Sequence, residues 1–502
     1  MYYAGVNEDA KALSRYNAQP MNQATFLWHD FETFGSDPRR DRPSQFAALR
    51  TDENLEPVGD PVILYCRPAD DLLPQPMACL ITGITPQIAR DRGLPENEFS
   101  HAIHELMSQP DTCTVGFNNF RFDDEVTRYL FWRNFFDPYA REYANGNSRF
   151  DLIDVLRMTS ALRPEGINWA RRDDGKPSYR LEDLAAANGM DVSRAHDALA
   201  DVEATLGLAR LLRDHQPRLW DWALKLRQKH VVAGMLQKAE PLLHTSARFP
   251  AEQFCTAPIL PLAPHPRFSG QWIAWNLNID PATFFNLDAE ELADRLWTAA
   301  GDLPDDVDRL PVKLVRSNRC PMLSPMAVLD DQARQRLQID PDRVARHAAS
   351  LADNQSFRDR IASLFAHQDN LSGTDDAELA LYSGFVPRND QQLYPRIRSM
   401  SASDLARLQS PFRDERLNTL LFRYRARLYP DSLDNAEREQ WQSERQRRLL
   451  SDPDLASIRW ADYQTEVSRL MQEYPNKIDI LEQLAQWPAE IGLHPDSKPI
   501  NQ

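Results

Sequence analysis

Phe26-Leu27-Trp28-His29-Asp30-Phe31-Glu32-Thr33-Phe34, closed by Gly35, is the stretch that decides the fold. Its aromatic and aliphatic residues predict a β-strand. Successive side chains of a strand point to opposite faces, so Asp30 and Glu32 share one face. Two acids on one face of a largely apolar strand repel each other and resist burial. Either this is a strand end with its acids in water, or a divalent cation sits between them. Hard oxygen donors of this kind suit Mg²⁺ or Mn²⁺.

The chain around that strand is 502 residues long, too long for one ordinary core, and several domains are expected. A hydrophobic fraction of 42% with 26% charged residues is that of a soluble globular protein. The net charge of −16 argues against a protein that coats nucleic acid without selectivity, though a local basic groove remains compatible with it. Cys66, Cys79, Cys113, Cys255 and Cys320 are scattered, with neither C-x-x-C nor zinc-site spacing, which fits a reducing compartment. No signal-length apolar run or membrane span is read. The expected location is the cytoplasm, and residues 1–23 read as a polar tail.

Outward from the first strand, Gln45–Arg50 and Pro61–Cys66 predict two more strands, separated by turn residues Asn54, Pro57 and Gly59. Pro74–Thr85 reads as a loop leading to a short helix. Glu98–Met107 has helical apolar spacing, and Thr112–Phe117 is a further strand. Beyond it, Asp123 falls at or just before a helix amino terminus, where capping alone would account for it. Asp124 and Glu125 beside it have no evident role. Asn147–Asp154 reads as a strand-like return, and Arg180–Ala185 opens a helix that stops near Asn188-Gly189. Ala195–Ala204 carries the next helix, with apolar residues at Ala198, Val202, Leu206 and Ala209. His196 and Asp201 would be about 140° apart on one helix and could not share a site. With His196 in the preceding loop and Asp197 as cap, the two can converge, with Asp201 in the second turn.

The order acid-x-acid, then acid, then H-x-x-x-x-D resembles the DEDDh class of 3′→5′ exonucleases with the ribonuclease-H-like fold. The likeness extends to His29–Gly35, Asp41-Arg42-Pro43, Leu80–Pro86, Arg121–Glu125, Leu162–Trp169 and Ala195–Ala198, which look like the bacterial exonuclease I family. It continues through Pro311–Val315 and Leu421–Arg427, and covers the chain from about Thr25, with a poor match around Arg248–Ala263. The resemblance implies a ribonuclease-H-like α/β domain (mixed sheet with flanking helices) over 24–216. A small SH3-like β-rich domain over 217–368 and a helical carboxy-terminal domain over 369–502 follow. Within the last two, strands are read at Gln271–Leu277 and Pro311–Asn318, helices at Arg218–Lys229 and Ala289–Ala300, and one long charged helix over Glu437–Tyr474.

What the resemblance implies about function is a metal-dependent exodeoxyribonuclease that degrades single-stranded DNA from its 3′ end and releases 5′-mononucleotides, serving DNA repair and recombination. Asp30, Glu32, Asp123 and Asp201 are enough carboxylates for two Mg²⁺ ions, for which Mn²⁺ can substitute, with Asp30 bridging both. His196 would accept the proton of the attacking water. Arg180 matches a substrate-contacting arginine, and Arg128, Tyr139, Tyr143 and Arg157 match positions facing the strand; Glu32 is also assigned to substrate. Arginine–phosphate pairing with base stacking on aromatics tolerates any sequence. From Gln391 to Pro430, eight arginines (396, 398, 407, 413, 416, 423, 425, 427) stand against Asp404, Asp414 and Glu415, a local charge of +5. This is either a solvated helix face or a contact for DNA or an acidic partner. The family implies docking of the acidic carboxy-terminal tail of single-stranded DNA-binding protein, with the enzyme a monomer and no membrane partner. Two rival readings are a trimmer of short or structured RNA with the same fold and a catalytically silent single-strand-binding scaffold.

Overall fold

The computed structural model describes residues 24–299, 301–366 and 373–493. The chain forms two compact units. The first comprises 1–148, 193–203 and 372–502; the second comprises 149–192 and 204–371.

In the first unit, β1 (Thr25–Thr33) pairs antiparallel with β2 (Pro43–Thr51) and parallel with β4 (Thr112–Gly116). The third strand, β3 (Val62–Tyr65), lies outside β2, so the order is β3-β2-β1-β4. Alternation along β1 sorts its residues as the sequence predicts. Leu27 and Phe31 enter a core with Phe46, Phe99, Ile103, Leu130 and Phe131, leaving Asp30 and Glu32 on the opposite face. The helix Glu96–Met107 supplies Phe99, Ala102, Ile103 and Leu106 to that core, at the spacing that predicted it. Gly35 is required by close approach: a Cβ there would lie 2.2 Å from Asp41 Oδ2. That contact explains why the Gly35 and Asp41 motifs occur together.

Several elements differ from the sequence reading. Pro74–Thr85 holds a helix, Pro76–Thr82, started by Pro76 and closed by Gly83 at φ 72°, whose N–H donates to Cys79 O. Asp151 ends β5 (Ser148–Asp151) and caps a helix from Leu152 to Leu162, so the strand-like return is shorter than read. The long helix over Glu437–Tyr474 is broken. Asn435–Gln446 runs into a wide turn at Arg447–Ser451, Pro453 interrupts, and a second helix spans Trp460–Glu473.

The carboxy-terminal segment packs with the α/β layer inside the first unit. Trp132 Nε1 donates to Ala377 O (2.9 Å), and Trp487 Nε1 to Leu72 O (2.9 Å). Between them lies a buried ion network that takes up three arginines of the basic stretch, Arg423, Arg425 and Arg427. Arg427 pairs with Asp71 (2.6 Å) and Glu378 (2.6 Å), and Arg42 with Glu378 (2.9 Å) and Glu96 (3.3 Å). Arg423 pairs with Asp376 (2.9 Å), Arg448 with Glu378 (3.2 Å), and Arg425 with Glu437 (2.7 Å). The helix Glu415–Leu428 is therefore neither a solvated face nor, at Arg423, Arg425 and Arg427, a docking surface; those arginines are interior and paired.

In the second unit, β6 (Leu242–Thr245), β7 (Thr256–Pro264), β8 (Gln271–Asn276), β9 (Val312–Arg316) and β10 (Met322–Pro325) form an antiparallel sheet of order β10-β6-β7-β8-β9. Helices Pro217–Lys225, Lys229–Gln237 and Ala289–Trp297 belong to the same unit.

Burial alone would push Glu96, Asp71 and Glu378 upward, yet the surrounding arginines win. Glu96 is held down to about 2, and Asp71 and Glu378 lie below the usual carboxylate range. A depressed folded-state pKa gives stability that is complete above the unfolded value of about 4 and is lost as pH falls toward 2. Urea unfolding should therefore weaken steeply between about pH 4.5 and 2. Glu378→Gln, which leaves four arginines short of a charge, should cost about 3–5 kcal/mol at pH 7 and flatten that acid limb.

Candidate active site

The five expected residues come from three places in the first unit. Asp30 and Glu32 project from β1. Asp123 opens the helix Asp123–Arg133 just beyond β4. His196 and Asp201 flank the start of the helix Ala198–His215. Phe31 N–H donates to Asp123 Oδ1 at 3.0 Å, so the third acid is fastened to the backbone between the first two.

His196 has φ 66°, a left-handed conformation that turns the loop back on itself. Asp197 then caps the helix, its carboxylate accepting from Ala200 N at 3.2 Å. Gln45 of β2, opposite Glu32 in register, accepts from Ala198 N at 3.4 Å and ties this helix start to the sheet. The result is the convergence the spacing required. Oxygens of Glu32 and Asp201 and a ring nitrogen of His196 lie within 4.8 Å of one another. One detail is corrected: Asp201 is the fourth helical residue, in the first turn rather than the second. Asp30 stands outside that tight trio but within its field.

The electrostatics record the crowding. Burial is the main cause of the rise in the Asp30 carboxyl, with Asp123, Glu32 and Asp201 adding repulsion. Glu32 is raised by burial and then by Asp201, Asp123 and Asp197. Asp123 is raised chiefly by burial, against the opposing Phe31 hydrogen bond. A set of hard oxygen donors that destabilise one another fits a divalent cation, whose charge would favour the ionised form of each of them.

His29, next to Asp30 in sequence, takes no part. It faces the core between Phe31 and Phe46, and burial pushes its imidazole down to about 3, leaving it neutral. Two acids without a role in the sequence acquire one. Asp124 pairs with Arg141 (2.6 Å) in the interior, and Glu125 accepts from Arg128 (2.6 Å) and from the Tyr382 hydroxyl.

The residues matched to substrate divide. Arg128 is buried, donating to Glu142 (2.8 and 3.0 Å) and lying over the Tyr139 ring. Tyr143 is exposed. In the second unit Arg157 donates to Asp154 at 2.6 Å and lies over Tyr179. Arg180, also there, is 72% exposed, with Glu182 no closer than 4.0 Å. Gln45, Tyr382 and Arg141 were not singled out by motif. Only register for Gln45, and three-dimensional proximity for the others, reveals them.

A neutral amide at Asp123 keeps the oxygen that accepts from Phe31 while removing a charge. Asp123→Asn should melt slightly higher than wild type in EDTA and gain less from Mn²⁺. Differential scanning calorimetry with and without the ion checks both signs.

Comparison with known proteins gives three family matches along the chain. They are an exonuclease model over residues 27–209, an exonuclease I SH3-like domain over 227–367 and an exonuclease I carboxy-terminal domain over 375–491. Exodeoxyribonuclease I of Escherichia coli is 43% identical over 474 residues, 93% of this chain and 98% of that protein. A moderately thermophilic exonuclease I from Methylocaldum szegediense superposes with a TM-score of 0.89 at 45% identity, over 93% of this chain and 99% of that one. A zinc-bound E. coli exonuclease I–single-stranded DNA complex gives 0.87 at 42%, over 94% and 100%. An SSB/exonuclease I structure with an inhibitor gives 0.85 at 41%, over 94% and 100%. The fold is accordingly the exonuclease α/β domain joined to an SH3-like and a helical carboxy-terminal domain. The chain belongs to the exonuclease I family and is a hydrolase of the 3′→5′ exonuclease class.

Proposed function

We propose that this protein hydrolyses single-stranded DNA processively from the 3′ end, releasing 5′-mononucleotides. The observation that carries the reading is the convergence of Asp30, Glu32, Asp123 and Asp201 with His196 on one side of β1, in a chain of this family. The four carboxylates would hold two divalent cations, Mg²⁺ or Mn²⁺, which supply charge relief at the scissile phosphate and an acidified water. His196 is exposed beside Glu32 and Asp201, placed to take the proton of the attacking water and pass it to solvent. Glu32 is also assigned a contact with the terminal nucleotide in this reading. Arg180 contributes a phosphate contact, and Tyr139 and Tyr143 contribute ring faces. Arg128, already paired with carboxylates, braces the Tyr139 ring, which it overlies, while Arg157, paired with Asp154 and lying over Tyr179, keeps its assignment as a strand-facing position.

The domain boundaries that go with this function are 24–216, 217–368 and 369–502, in line with the family matches. The SSB/exonuclease I structure supports single-stranded DNA-binding protein as a partner; that its acidic tail makes the contact and that the enzyme is a monomer belong to the same proposal. The buried arginines 423, 425 and 427 are excluded as its dock by their ion pairs. Work in DNA repair and recombination in the cytoplasm follows the family; no helix among the described residues is long and apolar enough to cross a membrane.

The test uses 3′- and 5′-labelled single strands with duplex and RNA controls. Mg²⁺-dependent mononucleotide release from the 3′ end of DNA should vanish in EDTA and in Asp30→Ala. His196→Ala should lose about 10²–10⁴-fold in rate with Mn²⁺ affinity nearly unchanged. Equal loss of both would remove the base role, and faster trimming of RNA would change the substrate.

A further inference from the structure

We propose that His29, Asn119 and Arg141 enclose internal water behind the carboxylate site and act as positioning residues for Asp30 and Asp123; the inference rests on the metal-site reading above. The two acids have sequence neighbours that turn the other way. His29 precedes Asp30 and, by strand alternation, lies on the core side of β1 with Phe31 and Phe46. Asp124 follows Asp123 and is wholly buried. The Arg141 guanidinium donates to Asp124 Oδ1 (2.6 Å) and to Thr114 Oγ1 of β4 (3.1 Å). Its charge and that of Asp124 both act on the His29 ring. Asn119 lies in the turn between β4 and the helix Asp123–Arg133, and its O accepts from Asp124 N at 2.9 Å. β1 and β4 part here, the last parallel pair being Trp28 with Val115. Gly116 permits a close approach of that turn to β1: a Cβ there would lie 2.8 Å from Asn119 Cβ and 3.1 Å from His29 O.

What marks the cluster is unmet hydrogen bonding. Both ring nitrogens of His29, both polar atoms of the Asn119 side chain and Nε of Arg141 are buried and find no partner among the described residues. Buried polar groups are nearly always paired, with protein or with ordered water, so five in one neighbourhood point to water. The neutral imidazole and the amide each offer a donor and an acceptor, and Arg141 Nε offers a donor. That mixture suits a molecule that both gives and takes hydrogen bonds. An anion would meet Asp124, and a cation would meet Arg141. A phenylalanine at position 29 would pack beside Phe31 and Phe46 with no unmet nitrogens, so apolar packing alone has no need of the imidazole. Water bridging these side chains ties β1 to the β4 turn where direct strand pairing has ended. The Phe31–Asp123 hydrogen bond fixes the two acids from one side of β1, and the bridge fixes them from the other.

The test begins with metal-free protein. A crystal structure in EDTA should show ordered water within hydrogen-bond distance of the His29 and Asn119 side chains; a dry cluster overturns the proposal. His29→Phe, which keeps a ring of similar size, should lower Tm in EDTA. It should also reduce Mn²⁺ affinity and kcat on oligo-dT by about 10- to 100-fold, the scale for losing an outer tie to a metal ligand, with KM for the strand within twofold of wild type. His29→Gln, which restores a donor and an acceptor, should recover most of that kcat. Asn119→Leu makes the same test from the other side of the bridge should His29→Phe fail to fold. The double variant should lose no more kcat than the worse single one, because both act through one bridge. A His29→Phe protein that melts higher than wild type, or one that loses Tm while keeping its kcat and Mn²⁺ affinity, overturns the positioning role. Wild type that neither binds Mn²⁺ nor degrades DNA overturns the underlying metal-site reading, whereas the water is judged in the metal-free crystal, so the two failures are separable.

Discussion

Four carboxylates that repel one another must be held in one place before any metal arrives, and the first unit is arranged to do that. Asp30 and Glu32 are fixed by β1, which is paired on both sides, by β2 and by β4. Asp123 is fastened through the Phe31 N–H. Asp201 is placed by a helix whose start is held by Asp197 and by Gln45. Each acid sits on a regular element, so the repulsion raises proton affinities instead of spreading the groups apart. The strain is electrostatic, and it is the form of strain a divalent cation relieves.

Rigidity of that order needs support from behind. Leu27 and Phe31 give β1 an apolar anchor, but the first unit also relies on the carboxy-terminal segment. Arg42, next in sequence to the Asp41 that packs against Gly35, shares Glu378 with Arg427 and Arg448. A buried ion network is a poor source of net stability compared with apolar packing, but it tolerates no slippage, because one misplaced partner leaves an uncompensated charge. It therefore fixes where residues 373–493 sit against the sheet more strictly than an apolar contact would.

The strands, the acid pattern and the His196 loop were legible because alternation and helical angle act locally. The 140° between His196 and Asp201 on a helix forced the residue into the loop, and its positive φ is how the chain complies. What stayed hidden depends on distant partners. Arg423, Arg425 and Arg427 look like part of a basic surface until Asp376, Glu437, Asp71 and Glu378 are brought to them by the fold. Asp124 and Glu125 look idle until Arg141 and Tyr382 arrive. The helix Pro76–Thr82 was masked by its two flanking prolines, although Pro76 at the first helical position and Gly83 after the last are themselves start and stop signals. The break after Gln446 was visible in Pro453, but charge periodicity on both sides overrode it.

The distribution of free and consumed charge bears on how such an enzyme keeps hold of a polyanion while carrying −16 itself. Counterion release by lysine and arginine gives affinity that falls steeply with salt. Here Arg128 and Arg157 are each committed to a carboxylate, whereas Arg180 is open and Phe385, Tyr382 and Tyr143 present exposed rings. A strand held mostly by stacking slides without breaking a fixed set of phosphate pairs, since every base offers the same kind of face. In the proposed reaction, translocation after each cleavage would exchange one stacked base for the next at nearly constant energy.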